Sequence, residues 1–515
     1  MVLTVASVLA GEEVPGGEPV VVRNPARLDE VVCEARLAGA EVFVEACRIA
    51  KAAHPGWARV PAPVRGRVIG RVGQLVEANK EALARRVTRE IGKPYREALG
   101  EVQEIIDTAS FFLGEGRRLY GMTVPSELPD KQLFTFRMPV GVAAVITAGN
   151  FPVAVPSWYL APALVCGCTV VWKPAEYAPA CAAALVELFH RAGVPRDALN
   201  LVVADGPTTF DGLERALGLG LVDKVGFTGS TAVGQRIGEL CGRHLQSPCL
   251  ELGGKNPLVV MPDADLDLAV EGAVFSGFAT AGQRCTSLGT VLVHESVHDG
   301  FLARFSAAVE RAPIGDPMAD VLYGPLMNER FLERFLGFCG LVEPHHSVHG
   351  STGTGRITRD NPRAGFVGDP ESGLYCHPMI VDGITPADEL YRLETFGPIV
   401  GVATFSDFDE MIDLANGHGY GLSAAIYTNT PAHVFRFRER VSAAMVSVNN
   451  STAGAEAHLP FGGNGRSGNG SRQSGVWVLE QFTRWQAVNW DYAGRLQKAQ
   501  MDTPELPADM DFRLG

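Results

Sequence analysis

Gly282-Gln283-Arg284-Cys285-Thr286 sets a cysteine among small and polar neighbours, and Glu251-Leu252-Gly253-Gly254-Lys255 places a carboxylate upstream of it. In such a setting backbone N–H groups can stabilise a thiolate and leave it open to a substrate. A carboxylate supplies a general base. The pair provides the parts that covalent chemistry at an aldehyde carbon requires. The competing reading of Cys285 is a small core residue, as most cysteines of intracellular chains are.

Other segments offer binding groups. Asn150, in Ala148-Gly149-Asn150-Phe151-Pro152, closes an apolar run, and its amide can join the Cys285 N–H in an oxyanion hole or simply make an Asx turn. In Trp172-Lys173-Pro174-Ala175-Glu176, Lys173 and Glu176 can meet ribose hydroxyls at a strand end. A carboxylate there repels a 2′-phosphate and favours NAD over NADP; a pair of solvated loop charges is the plainer reading. Phe227-Thr228-Gly229-Ser230 joins a strand pattern to a helical one with inner face Val233, Ile237, Leu240 and Cys241. Its free N–H groups suit a pyrophosphate, or Ser230 merely caps a tight turn; the junction carries no GxGxxG. Glu394-Thr395-Phe396-Gly397-Pro398 adds a carboxylate and an aromatic ring. Pro460-Phe461-Gly462-Gly463 opens a glycine-rich loop, read as a backbone crossover rather than a phosphate cradle.

The elements that must position these groups follow from periodicity. Residues 1–10 read as a first strand, and residues 63–119 show apolar positions at helical spacing. Residues 134–136 alternate like an exposed strand, and 140–147 is a continuous apolar run, as in a buried parallel strand. Strand and helix patterns then alternate: 169–172 and 180–192, 199–203 and 208–217, 222–227 and 231–242. This predicts βαβ units in a doubly wound sheet. A second α/β series follows, with strands at 257–260, 290–294, 399–405, near Ile426 and at 446–449, and helices at 266–281 and 297–311. Residues 345–374 lack periodicity and read as a surface loop or insertion.

The chain has 515 residues, 46% of them hydrophobic, and a formal net charge of −13. That size allows two to four domains. The acidic balance, with no basic run, argues against nucleic-acid or acidic-membrane partners. No run approaches a membrane span. Ten cysteines without paired spacing suit a reduced, cytoplasmic setting. Cys166-Gly167-Cys168 has no matching second pair for zinc, so no metal site is expected.

Taken in order, seven motifs, those of Asn150, Lys173, Phe227, Glu251, Cys285, Glu394 and Pro460, resemble the aldehyde dehydrogenase superfamily over about residues 12–490. The Glu251-to-Cys285 spacing also agrees. The resemblance implies a Rossmann-like cofactor domain (1–121 and 140–253, with 450–475 returning to it) and a second α/β, catalytic domain (254–449). It adds a small β oligomerisation element with a tail (122–139 and 476–515). It implies Cys285, Glu251, Asn150 and Lys173 as the catalytic set. NAD would be held by Ile146, Thr147, Lys173, Glu176, Gly206, Phe227, Gly229, Ser230, Val233, Leu252, Glu394 and Phe396. The partners it implies are a small aldehyde and further copies of the chain, as a homodimer or homotetramer in which residues 132–139 pair with 483–491. Glu251 favours hydrolysis of the thioester over transfer to coenzyme A. Arg284, the Thr452-Ala453-Gly454-Ala455-Glu456 segment and Gly100-Glu101-Val102-Gln103-Glu104 look similar to the α-aminoadipic semialdehyde group, and broad-range bacterial members share them. A general aldehyde oxidiser leads a dedicated amino-acid semialdehyde enzyme, with a silent structural homologue as the reading from another class. Gly149 stands where many relatives carry a large aromatic, which implies a wider tunnel. Residues 491–515 extend past the usual last strand and are expected to cross a neighbouring subunit.

Overall fold

A computed structural model describes residues 2–515. Two seven-stranded sheets dominate. In the first, Cys249–Glu251, Lys224–Thr228, Val142–Ile146, Thr169–Lys173 and Leu199–Leu201 run parallel in that order. Ser7–Leu9 and Glu12–Val14 add antiparallel strands at one edge. The parallel strands are buried on both faces, which explains their near-continuous apolar sequence. Val142–Ile146 comes first in sequence and lies between Lys224–Thr228 and Thr169–Lys173. The strand order therefore reverses beside it, and the carboxyl ends there open a crevice.

The second sheet orders Ser347–His349, Met379–Asp382, Ile399–Phe405, Leu288–His294, Asn256–Val260, Ser423–Tyr427 and Met445–Val448. All but the antiparallel Ser347–His349 edge are parallel. A third sheet pairs Thr483–Asp491 antiparallel with Lys131–Pro139 over their whole length, flanked by Thr123–Val124. The pairing of 132–139 with 483–491 is thus formed within one chain.

Several elements differ from the sequence reading. The N-terminal run is two strands in different sheets: Leu3–Val5 pairs with Arg27–Arg36, and Ser7–Leu9 with Leu199–Leu201. The helical layer begins earlier, at Ala40–Arg59. Helix Ala154–Cys166 is buried at every position, so it has no polar face for periodicity to register. Residues 345–374 are not a structureless surface loop. Ser347–His349 edges the second sheet, Phe366–Val367 pairs with Ile314–Gly315, and the buried Arg363 donates to the Val309 carbonyl at 2.7 Å. Residues 450–475 touch both large sheets. Gly468 bridges to Glu251 of the first, the Ser423 hydroxyl of the second donates to Thr452 O at 2.7 Å, Asn464–Gly465 forms a separate small sheet with Tyr420–Gly421, and Thr452 bonds the backbone beside Cys285. No helix among the described residues is long and apolar enough to cross a membrane.

Candidate active site

The loop carrying Cys285 begins where helix Leu266–Phe278 stops, three residues short of the expected Ala281. Thr280, Ala281 and Gly282 turn left-handed, with φ of 53°, 54° and 69°. Two of the three carry a Cβ, a conformation that persists only when its surroundings impose it. Glu97 imposes it here: its carboxylate accepts from the Thr280 N–H at 3.0 Å and also receives the Thr280 hydroxyl and the Arg284 guanidinium. Arg284 is therefore tied down and is not a free cation for a substrate. Downstream, Asn256 donates to the Cys285 and Ser287 carbonyls at 2.8 and 2.7 Å, and the Thr452 hydroxyl donates to Thr286 O at 2.8 Å. The backbone on both sides of Cys285 is pinned, while Cys285 itself is only half-buried.

The remaining reactive groups converge on this loop. Glu251 ends the edge strand Cys249–Glu251 of the first sheet, is 1% exposed, and both of its carboxylate oxygens lack a hydrogen-bond partner. Burial pushes its pKa up to about 8, the nearby Cys285 thiol opposes that rise, and the Glu394 charge adds to it. Burial, with the Glu251 charge beside it, also raises the Cys285 thiol well above its ordinary value. A charge in such a place lacks solvent, so thiol and carboxyl each hold a proton more firmly than in water. The Asn150 amide donates to the Gln283 carbonyl at 2.9 Å, which fixes its orientation and leaves its second N–H available. Glu394 accepts from the Gly254 N–H at 3.1 Å. A Cβ at Gly253 would lie 2.2 Å from Glu394 Oε2, so a larger residue there would displace the carboxylate from this position.

Each residue named above as a candidate catalytic or cofactor-contacting group lines one cavity of 780 Å³. It opens at the carboxyl ends of the first sheet and reaches Cys285. Helix Thr231–Arg243 presents its N-terminus there, capped by Ser230, and Gly206 opens a second helix, Gly206–Gly218. At the far wall Lys173 Nζ lies 3.4 Å from Glu176, with the lysine pKa lowered by burial. Arg330, 3.8 Å from Glu176, and Arg334, which donates to Glu394 O at 3.0 Å, complete the wall. Neither arginine was legible, because both come from helix Glu329–Cys339 of the other sheet's half. The space a larger side chain at Gly149 would take is filled: its Cβ would lie 2.4 Å from the Tyr177 ring. The expected widening is therefore absent at that position. Pro460-Phe461-Gly462-Gly463 serves as the crossover: Phe461 stacks on Trp158 at 4.6 Å, and the Leu252 N–H, next to Glu251, donates to Ser467 O at 3.0 Å.

Away from this cavity, His345, His346 and Asp388 bring three ligand atoms within 4.8 Å. The Glu343 N–H donates to Nδ1 of His346 at 2.9 Å. That puts the ring proton on Nε2, which faces Asp388 at 3.3 Å and offers a donor rather than a lone pair.

Comparison with known proteins agrees with this geometry. The aldehyde dehydrogenase family model matches residues 14–488. The chain belongs to the aldehyde dehydrogenase family. Among its relatives, α-ketoglutaric semialdehyde dehydrogenase of Bacillus subtilis is 33% identical over 92% of this chain and 94% of that protein. The NADP-dependent succinate-semialdehyde dehydrogenase of Escherichia coli is 34% identical over 90% and 93%. Betaine aldehyde dehydrogenase from Staphylococcus aureus, solved with NAD+, superimposes with a TM-score of 0.90 at 27% identity, covering 97% of each chain. The protein is thus an oxidoreductase acting on aldehydes, and its family binds NAD or NADP. The residues fit such a cofactor: the crevice at the strand reversal, the capped helix N-terminus and the glycine beside Glu394 line one cavity that reaches Cys285.

Proposed function

We propose that this protein is a general, hydrolytic, NAD-dependent aldehyde dehydrogenase in which Cys285 is the nucleophile and Glu251 the base. The observation that carries this reading is the buried Glu251 carboxyl beside the Cys285 thiol, with no other partner for either oxygen. The Cys285 sulfur, as thiolate, adds to the aldehyde carbon, and the former carbonyl oxygen is held by the open Asn150 N–H and the Cys285 N–H. The chemistry a bound nicotinamide dinucleotide supplies is acceptance of the hydride from that carbon, which leaves Cys285 as a thioester. Glu251 then takes a proton from water as its oxygen adds to the thioester carbon; the C–S bond breaks and the carboxylic acid departs.

Glu176 supports NAD, since a carboxylate facing the ribose opposes a 2′-phosphate. Lys173 and Glu176 would hold the adenosine ribose, with Gly206 near it. Ser230 and Val233 at the helix start, with Gly229 and Phe227, would face the pyrophosphate. Glu394, Phe396 and Leu252 would hold the nicotinamide end, and Ile146 and Thr147 the floor between. On this reading the aldehyde's entrance is the 800 Å³ opening between helix Tyr95–Glu115 and residues 455–458, separate from the cavity that would hold the cofactor. On that wall burial pushes the Glu104 pKa up to about 8 and leaves the carboxyl largely uncharged, and Arg118 is already paired with Glu115 at 2.5 Å. The absence of an unpaired arginine or lysine among these lining residues supports neutral aldehydes over the carboxylated semialdehydes for which the bacterial relatives are named. Thr483–Asp491 has a free outer edge and exposes Trp485 and Trp490, which supports assembly into a homodimer or homotetramer, and the free cysteines suit the reducing cytoplasm.

The test is NADH formation across aliphatic, aromatic and carboxylated aldehydes, with and without coenzyme A. Cys285-dependent, coenzyme A-independent turnover that ranks neutral aldehydes first is expected. A requirement for coenzyme A, or a preference for carboxylated semialdehydes, would contradict the reading.

A further inference from the structure

We propose that Glu97 and Glu101 are positioning residues that together set the gap between the Cys285 sulfur and the Asn150 amide. They lie four residues apart in helix Tyr95–Glu115, a spacing that puts both on one helix face. Neither lines the cavity that holds Cys285. Glu97 ends on the nucleophile loop: it receives the Thr280 N–H, the Thr280 hydroxyl and Arg284, and so holds the left-handed turn that delivers Cys285. Glu101 ends on the Asn150 loop. Its Oε1 accepts from the Val153 N–H at 2.9 Å and the Ala154 N–H at 3.2 Å. These are the first free N–H groups of helix Ala154–Cys166, a helix with no side-chain cap of its own, where a carboxylate is favoured by the helix dipole.

The other Glu101 oxygen pairs with Lys93, and both side chains are 0% exposed. The Lys93 ammonium lies 3.4 Å from the centre of the Phe151 ring, next in sequence to Asn150. An ion pair buried this deeply is a costly way to gain stability. Its geometry is spent instead on fixing residues 150–154 from two directions, through the backbone at 153 and 154 and through the ring at 151. The two loops that must meet at the substrate carbon come from different sheets, yet both end on one rigid helix. The Asn150 amide also reaches the Gln283 carbonyl, so any slip between the loops would turn the amide away from the thiol.

This proposal rests on the roles given above to Cys285 and Asn150, and a double-mutant cycle tests it. The three enzymes are Glu101→Gln/Lys93→Met, which leaves no buried ammonium unpaired, Asn150→Ala, and their combination. Misplacement of a catalytic group by about 1 Å lowers turnover about a hundredfold. The Glu101→Gln/Lys93→Met enzyme is therefore expected to lose about ten- to hundredfold in kcat with KM and NADH binding nearly unchanged, and to lose nothing further when Asn150→Ala is added. Additive losses, or an unchanged kcat, overturn the proposal. Full activity of Asn150→Ala alone is a different failure, since it removes the amide from the site's chemistry and the proposal with it. Glu97→Gln gives an independent arm: alkylation of Cys285 by iodoacetamide, read by mass on the Cys285 peptide, is expected to slow about tenfold while NADH binding persists. An unchanged rate overturns the Glu97 half.

Discussion

At the scale of single residues, Glu251 carries the clearest consequences. With its pKa raised to about 8 by burial, it is mostly protonated at neutral pH and becomes a base as pH rises. Deacylation should therefore speed up with a midpoint near pH 8, and Glu251→Gln should flatten that profile; stopped-flow turnover between pH 6 and 9.5 checks both. Linkage gives a second sign. The folded state holds a proton that the unfolded chain releases near its ordinary carboxyl value, so this contribution to stability is present at acid pH and lost as pH rises toward about 8. Glu251→Gln should then raise the melting temperature more at pH 9 than at pH 6. At the cofactor's far end, Glu176→Gln should raise NADP use relative to NAD about tenfold, a gain of about 1.4 kcal/mol, read as the ratio of kcat/KM values. Cys285, Glu251 and Asn150 could be singled out as candidates because residue type and order carried them. Glu97 and Lys93 were not, because their partners lie far along the chain and an isolated acidic or basic residue in a helix reads as a solvated charge.

At the scale of elements, the nucleophile turn matters most. Gly282 sits at φ 69°, and a Cβ there would lie 2.2 Å from the Gly397 carbonyl oxygen. Gly282→Ala must both strain the backbone and push against the strand that begins after Pro398. A loss in kcat of about a hundredfold with intact secondary structure by circular dichroism is expected. The turn itself was hidden in sequence, since Thr280 and Ala281 are ordinary helix residues and the apolar pattern runs straight through them. The doubly buried strands were legible as continuous apolar runs, and the amphipathic helices wherever one face meets solvent. Helix Ala154–Cys166 and the edge strand Ser347–His349 were not: the first is buried on all sides, and the second is a short polar segment that tertiary pairing alone makes a strand.

At the scale of the molecule, two sheets built from different stretches of chain close on one cavity, and residues 450–475 lace them together. The two α/β series could be read from sequence. Their mutual placement could not, because it depends on contacts such as Gly468 with Glu251 and Arg330 with Glu176. Beyond Asp491 the tail leaves Leu506, Met510, Phe512 and Leu514 between 66% and 90% exposed, more apolar surface than a lone chain gains from showing. Removing residues 492–515 should make the assembly dissociate at higher concentration in analytical ultracentrifugation; an unchanged mass profile with unchanged kinetics would dismiss a role for the tail between subunits.

In the proposed mechanism Cys285 carries the acyl group and Glu251 releases it. The most direct measurement mixes Glu251→Gln protein rapidly with NAD and a short aliphatic aldehyde, follows NADH, and weighs the Cys285 peptide after quenching. One equivalent of NADH in a burst, very slow turnover afterwards, and an acyl mass on Cys285 are expected. Steady turnover at the unmodified enzyme's rate, or a burst without mass on that peptide, would contradict that mechanism.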